Sequence, residues 1–497
     1  MYDFVPFHPP LKPEDSPRVG TRALQERFAR CADFTCRRID AGLDPALTLS
    51  VCWLDGLVSG AALSETLLRP LTEFWRLSAG SEKNFRARLG SGAVSAWSLR
   101  EFQTLAETAD ALLHGCCALV LDGAGCALCF ELRAETGRSV GEPTLEKSVK
   151  GARDSFVENL RVNTALVRRR LATPDLKLVE SSLGRRSATK TALFYLEGVA
   201  DPALVAEAAR RLDALDLDAL LSLGPLEEAL SDAPRSPFPQ AIHTERPDRF
   251  AMLLSDGRIG LLADGLPVGL VLPVTLAEFM KVTGDGSSHF LVSSALSLLR
   301  WLSLLTALLL PGLYVAMSVY HQEMIPTRLL LSMVEAKQQV PFSTALETLM
   351  MTAAFLMLQE AGLRLPGPMG DTVSIIGALI VGQAAVEARI VSPVTIIAVA
   401  AAAIACYTLP SQDLASALRL WSFGLLLAGA LGGLYGVGLG CCLLLWHLSS
   451  LDSFSRSYTA PLSEDGPGLR RLLLRRPFFA RRLRDPLLKT PDRRRQA

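Results

Sequence analysis

The sequence predicts an α/β cytosolic region of two similar subdomains, followed by an α-helical multi-pass transmembrane domain. Three observations predict it. A strand–turn–helix unit with a following hairpin occurs twice before residue 286. Residues 289–448 are strongly apolar and hold several runs near the length that spans a bilayer. The stretch 452–497 is rich in arginine, as expected of the cytoplasmic flank of membrane helices. The expected divisions are an N-terminal extension (1–39), a first α/β subdomain (40–140), a linker helix (141–184), a second subdomain (185–286), a transmembrane helical domain (287–448) and a basic cytoplasmic tail (449–497).

A chain of 497 residues exceeds one ordinary core, and a net charge of +1 argues against a whole-chain nucleic-acid binder. The start, MYDFVPFHPPLKPED, has neither the basic region nor the apolar region of a signal peptide. The N-terminal region is therefore expected in the cytosol. With the tail also inside, the number of full spans is expected to be even.

The first copy of the repeat is LTLSVCWLDGLVSGAALSETLLRPL (47–71) and the second is TALFYLEGVADPALVAEAARRLDAL (191–215). Each reads as a short apolar strand, an acidic residue plus glycine at a turn, then an amphipathic helix. The hairpins follow as CCALVLDGAGCALCFEL (116–132) and IGLLADGLPVGLVLPV (259–274), turning at Asp122-Gly123 and Asp264-Gly265. Between the copies, Phe156, Leu160, Ala165, Leu166 and Val167 mark one apolar stripe. Glu158 and Asn159 near the start and Arg168 to Arg170 at the end suit a helix dipole, and Pro174 stops the helix. The reading is a docking helix with a solvated basic end.

Of ten cysteines, Cys126 and Cys129 make a C-x-x-C, but along a strand their side chains point to opposite faces. No second pair or nearby histidine completes a zinc site, so the cysteines read as small apolar filler in a reducing compartment. There is no phosphate-binding glycine loop, no G-x-S-x-G and no histidine cluster. Neither an enzyme, a cofactor nor a metal is expected.

In the apolar half, 289–300 reads as an amphipathic lead-in, with Arg300 and Trp301 at a membrane interface. A first span is expected over 301–320, kinked at Pro311. The stretch from Tyr320 to Pro368 is broken by His321, Glu323, Glu335, Lys337, Glu347 and Glu360. It reads as a re-entrant or interfacial pair of helices, with a full span over 344–363 as the alternative. Next, SIIGALIVGQAAVEARIVSP (374–393) carries Gln383 and Glu387 one turn apart. Ionisable groups inside a membrane segment face a bundle interior or water. Ser374, Ala378 and Gly382 form a small-residue stripe on another face, and residues 394–409 return. The last span is expected over 418–447, with Gly424, Ala428, Gly432, Gly436 and Gly440 as one ridge for helix packing. The arginines of the tail read as solvated, with anionic lipid headgroups as a second role.

Taken in order, FVENLRVNTALVRRRL, FYLEGVADPALV, HTERPDRF, LLLPGLYVAMSVYHQEMIPTRLLLS and the segment around Gln383 resemble the A subunit of the GerA-type spore germinant receptors. The resemblance covers residues 45–462. It implies a receptor subunit in the spore inner membrane, with a transporter-like B subunit that senses the nutrient and a lipoprotein C subunit as partners. It also implies a homo-oligomer, a pentamer, forming a ligand-gated cation channel. The positions that match the family are Glu158, Asn159, Arg161, Asn163, Glu245, Arg246, Pro247 and Asp248 between domains. They continue with His321, Gln322, Glu323, Met324, Pro326, Gly377, Gly382, Gln383, Glu387 and Pro393. His321, Gln322, Glu323, Gln383 and Glu387 are the pore or gating candidates. Arg328 stands where the family has proline and Arg389 where it has a small residue, usually glycine. The alternatives are a non-conducting scaffold subunit and the A-type paralogue that accompanies the dipicolinate channel.

Overall fold

The computed structural model describes residues 17–39, 49–71, 84, 99–134, 143, 146, 151–364, 382–460, 473–475 and 477–495. The chain forms two compact units. One comprises the residues up to Ser231 with Ala241–Pro273 and Arg482–Ala497, and the other Asp232–Gln240 with Val274–Arg481.

The first unit contains one topology twice. Strands β1 (Phe34–Ile39), β2 (Leu49–Leu54), β3 (Leu99–Phe102), β4 (Cys116–Leu121) and β5 (Cys126–Glu131) form a sheet in the order β1-β2-β4-β5-β3. Strands β6 (Leu176–Leu183), β7 (Thr189–Leu196), β8 (Ile242–Thr244), β9 (Ile259–Ala263) and β10 (Gly269–Leu272) repeat that order as β6-β7-β9-β10-β8. Neighbouring strands in both sheets are antiparallel. The duplication read from the sequence is therefore a duplication of topology. Each sheet begins earlier than expected, because β1 and β6 precede residues 40 and 185. Both are edge strands whose charged residues (FTCRRI, LKLVESSL) interrupt the apolar alternation that betrays an inner strand.

The period of two in the strands places alternate side chains on opposite faces. Leu49, Val51, Leu119, Leu121, Cys126 and Leu128 pack with Leu63, Leu67 and Leu71 of helical residues 60–71. Cys52, Leu54, Ala118, Val120, Ala127 and Cys129 pack on the other face with Leu112 and Leu113 of helix α1 (Leu105–Leu113). Cys126 and Cys129 thus belong to different cores, as expected of a strand. In the second half, helix α3 (Pro202–Asp213) follows β7, and helix α4 (Pro247–Ser255) precedes β9. Phe250 of α4 meets Phe156 and Phe194 edge-on, with ring centroids 5.5 and 5.6 Å away.

The linker helix α2 spans Leu160–Arg170. Asn159 caps it by accepting from the Arg161 and Val162 amides. Its start is fixed to the second hairpin, where the Leu160 amide donates to Asp264 (2.9 Å) and the Gly265 amide donates to the Glu158 carbonyl. Asn163 exchanges two hydrogen bonds with the Val157 backbone. Arg161 pairs with Asp55 of the first half and Glu180 of the second. The basic end is not wholly solvated. Arg168 is 1% exposed and makes a two-pronged bond to Asp33, at 2.7 and 2.8 Å. The Phe156 amide donates to the Glu245 carbonyl, and the buried Arg246 holds Asp248 and the carbonyls of Glu146 and Ala152. The side chains of Asn159, Arg161, Asn163, Arg246 and Asp248, with the backbone carbonyls of Glu158 and Glu245, thus fasten the linker.

The tail is not simply solvated either. Leu483 bridges Arg494, the Asp492 amide donates to the Gly198 carbonyl, Arg484 donates to the Ser255 carbonyl, and Arg495 pairs with Asp256. These contacts all lie within the first unit.

The second unit is helical. Helix α5 (Phe290–Val319) is continuous through Pro311 and is about 45 Å long, so the expected lead-in and first span are one helix. Arg300 makes a two-pronged pair with Asp285 and donates to the Met280 carbonyl. Helices α6 (Thr327–Lys337), α7 (Thr344–Arg364), α8 (Pro393–Tyr407) and α9 (Gln412–Ser450) complete the unit. By length and composition, α5 and α9 are each apolar enough to cross a membrane.

Helix α9 is two arms rather than one span. Gly433 leaves helical geometry at φ 59° and ψ −143°, a conformation that favours glycine. The arms fold back on each other. A Cβ on Gly436 would lie 2.1 Å from the Ala428 carbonyl oxygen, and one on Gly440 would meet Leu425 and Ala428. The expected ridge is thus divided: Ala428 lies in the first arm and Gly436 and Gly440 in the second, while Gly424 and Gly432 meet nothing within 4 Å.

Candidate functional site

The helices of the second unit bring polar groups to one level. The Ser422 hydroxyl donates to the Ala307 carbonyl and the Tyr320 hydroxyl to the Ala430 carbonyl, so α5 and the first arm of α9 run in parallel. Thr395, in the first turn of α8, lies beside Tyr314, in the second half of α5. Farther along α8, Cys406 shares a cavity of about 60 Å³ with Ala307 of α5 and Gln359 of α7. Helices α7 and α8 therefore both run opposite to α5. At about 31 Å, α7 matches a bilayer core in length.

Glu347, in the first turn of α7, is 0% exposed. Its Oε2 accepts from the Ser392 amide at 3.0 Å and from the Thr395 hydroxyl at 3.1 Å. Thr395 Oγ1 has one proton, given to Glu347, so its contacts with Tyr314 Oη (2.9 Å) and Ser392 Oγ (3.0 Å) are donated to it. Glu347 Oε1 has no hydrogen-bond partner; its nearest counter-charge is Lys337 Nζ at 4.0 Å, which also donates to Thr344 Oγ1. A buried carboxylate held by one loose ion pair is costly to keep, and truncating either partner leaves an uncompensated charge. The arrangement ties α6, α7, α8 and α5 together through one buried carboxylate.

Sequence reasoning named Glu347 only as a break in an apolar stretch. The signal was the same one that selected Glu387: a single acid among apolar and hydroxyl residues, LETLMMTAAFLML.

Gln383 and Glu387 lie on helical residues 382–387, and both are exposed. Among the described residues, neither makes a hydrogen bond or ion pair. Gly382 is buried with Ile396 nearby, while Ser374, Gly377 and Ala378 lie outside the described residues. This helix ends in a Schellman turn: the Ile390 amide donates to the Ala385 carbonyl and the Arg389 amide to the Val386 carbonyl. Arg389 occupies the left-handed position of that turn at φ 59°, where glycine is normal. The departure at Arg389 is thus a departure in a backbone role.

The other candidates sit elsewhere. His321 begins the short turn Gln322–Met324 after α5, and its ring comes within contact of Gly433 at the tip of the α9 arms. Gln322 donates to the Ser318 carbonyl, and Glu323 is exposed. Neither makes a described contact with Gln383 or Glu387. Among the described residues, no group of three or more His, Cys, Asp or Glu could hold a metal ion.

A duplicated α/β unit joined to a helical unit with two helices long and apolar enough to cross a bilayer defines the class of protein. The chain belongs to the GerA family: the family model described as Bacillus/Clostridium GerA spore germination protein matches residues 22–487. It is 36% identical over 433 residues to the uncharacterized membrane protein YfkQ of Bacillus subtilis, covering 87% of this chain and 83% of that protein. It is 34% identical over 468 residues to spore germination protein KA of Bacillus subtilis, covering 94% and 85%. The crystal structure of the N-terminal domain of the A subunit of the Bacillus megaterium spore germinant receptor GerK3 is 27% identical, covers 50% of this chain and 91% of that chain, and gives a TM-score of 0.40.

Proposed function

We propose that this chain is the A subunit of a nutrient germinant receptor in the spore inner membrane, working with a transporter-like B subunit and a lipoprotein C subunit. Copies of it assemble as a pentamer around a ligand-gated cation pathway, whose opening triggers germination. Family membership supports the receptor role. The observation that carries the channel role is Glu387 with Gln383, a carboxylate and an amide exposed on an apolar helical unit with no partner among the described residues. Such groups need water or a neighbouring copy, and a ring of carboxylates favours cations. The Glu347–Lys337 tie is the gating element in this reading, since it is the charged link between α6 and the buried end of α7.

The chain crosses the membrane several times with both ends in the cytoplasm. Residues 482–495 hydrogen-bond within the unit that contains the two sheets, which supports an even number of crossings.

The test is cation efflux from proteoliposomes holding co-purified A, B and C subunits, triggered by a mixture of amino acids, sugars and nucleosides. Glu387→Gln is expected to lower cation-over-anion selectivity several-fold, and Glu347→Gln to shift the trigger concentration without altering selectivity. Efflux with unchanged selectivity in Glu387→Gln and Gln383→Ala would assign the pore to another subunit and leave this chain a scaffold.

A further inference from the structure

Strands β1 and β2 pair in a register that sets Cys36 directly opposite Cys52. Their sulfur atoms lie 2.7 Å apart. Cys36 is half-buried on an edge strand, and Cys52 is buried beneath it. The pair is lopsided: the thiol of Cys52 hydrogen-bonds to Cys36 and holds its pKa below the ordinary cysteine value, whereas that same bond and burial push Cys52 up. Burial and the Asp122 carboxylate oppose that lowering, so the contact with Cys52 is what holds Cys36 down. An exposed-side thiolate with a protonated thiol in contact behind it is the arrangement of an attacking and a resolving cysteine.

We propose that Cys36 and Cys52 are a reversible thiol-oxidation site whose oxidant is a small-molecule disulfide of the glutathione class. The Cys36 thiolate attacks one sulfur of glutathione disulfide, forming a mixed disulfide and expelling one glutathione thiolate. Cys52, on losing its proton to solvent, attacks Cys36 Sγ, forms the Cys36–Cys52 bond and expels the second glutathione thiolate. Two protein thiols are oxidised and one glutathione disulfide is reduced to two thiols. The product staples β1 to β2. Asp33, which holds Arg168 of the linker helix, stands one residue before β1, so the staple acts on the strand that leads out of that ion pair. The inference is independent of ion conduction.

Full-length protein in detergent, equilibrated with reduced and oxidised glutathione mixtures, provides the test. Trypsin cleaves after Arg37 and Arg38, so a Cys36–Cys52 bond joins two otherwise separate peptides in non-reducing mass spectrometry. The joined pair is expected to dominate in oxidising mixtures and to vanish with excess dithiol. Cys52→Ser is expected to accumulate glutathione on Cys36, and Cys36→Ser to leave Cys52 unmodified. In the oxidised wild type, amide exchange in β1 should slow several-fold. Glutathione on wild-type Cys36 without the joined pair, or a joined pair absent at every ratio, overturns the proposal.

Discussion

The rings of Trp421 and His447 lie with centroids 5.8 Å apart in the second unit. In one continuous helix those residues would stand roughly 39 Å apart. Their proximity follows from the reversal at Gly433 and from the glycine contacts that close the two arms of α9. Gly436→Ala is expected to destabilise the unit by about 1–3 kcal/mol, because its Cβ would run into the Ala428 backbone carbonyl rather than a movable side chain. Gly424→Ala and Gly432→Ala, which meet open space inside helix, should be neutral or stabilise by up to about 1 kcal/mol. Thermal unfolding in detergent separates the two outcomes. Equal losses at all three positions would restore the single-helix ridge.

Arg168 and Asp33 fix the linker helix to the first sheet from a fully buried position. Arg168→Ala leaves a buried carboxylate unpaired and should cost about 3–5 kcal/mol. Replacing both by apolar residues of similar volume should recover most of that loss. A double-mutant cycle of thermal or urea unfolding on the whole chain measures it, and an additive double mutant would mean that the pair does not act as a unit.

Arg389→Gly should stabilise the protein by about 1 kcal/mol, since it removes a side chain from a left-handed position while keeping the Schellman turn. Arg389→Ala keeps the backbone strain and removes the charge. If both substitutions raise the unfolding temperature equally, the charge rather than the backbone is what matters at that position.

The Asp492 carboxylate orders the tail from within, holding Arg484, whose guanidinium also reaches the Ser255 carbonyl. The bond from Arg484, helped by the Arg494 amide, keeps its carboxyl below the ordinary value of 3.8. A carboxyl lowered on folding adds stability above its unfolded pKa and loses it as pH falls through the lower folded value. Exchange protection of residues 482–495 should therefore be intact at pH 7 and fade below about pH 4. Asp492→Asn should show the weakened protection already at pH 7. Protection that is equal for wild type and variant across that range would remove Asp492 from the docking of the tail.

The parts of the fold that were legible in the sequence are those where local pattern and tertiary role coincide. Asp264-Gly265 between apolar runs is a hairpin in any context, and the matching hairpin at Asp122 reveals the repeat. β1 and β6 were not legible, because an edge strand needs apolar residues on only part of one face. Arg168 was read as solvated because three successive arginines at a helix end satisfy the dipole rule without any partner; the partner, Asp33, lies 135 residues away. The ridge in α9 was legible as glycine spacing but not as a reversal. Gly433 is hidden among other glycines, and only its dihedral angles distinguish it. Of the candidate site, Glu387 was found because it interrupts an apolar run. Glu347 obeys the same rule, and what singles it out, its burial against Ser392 and Thr395, is a tertiary fact.

The contact of Gly436 with the Ala428 carbonyl has a mechanical meaning. Where the backbones touch at Gly436, no side chain stands between them to change rotamer, so at that point the two arms have little with which to accommodate a shift. They form a stiff strut. Its tip at Gly433 sits beside Tyr320 and His321, so the strut is anchored where α5 ends.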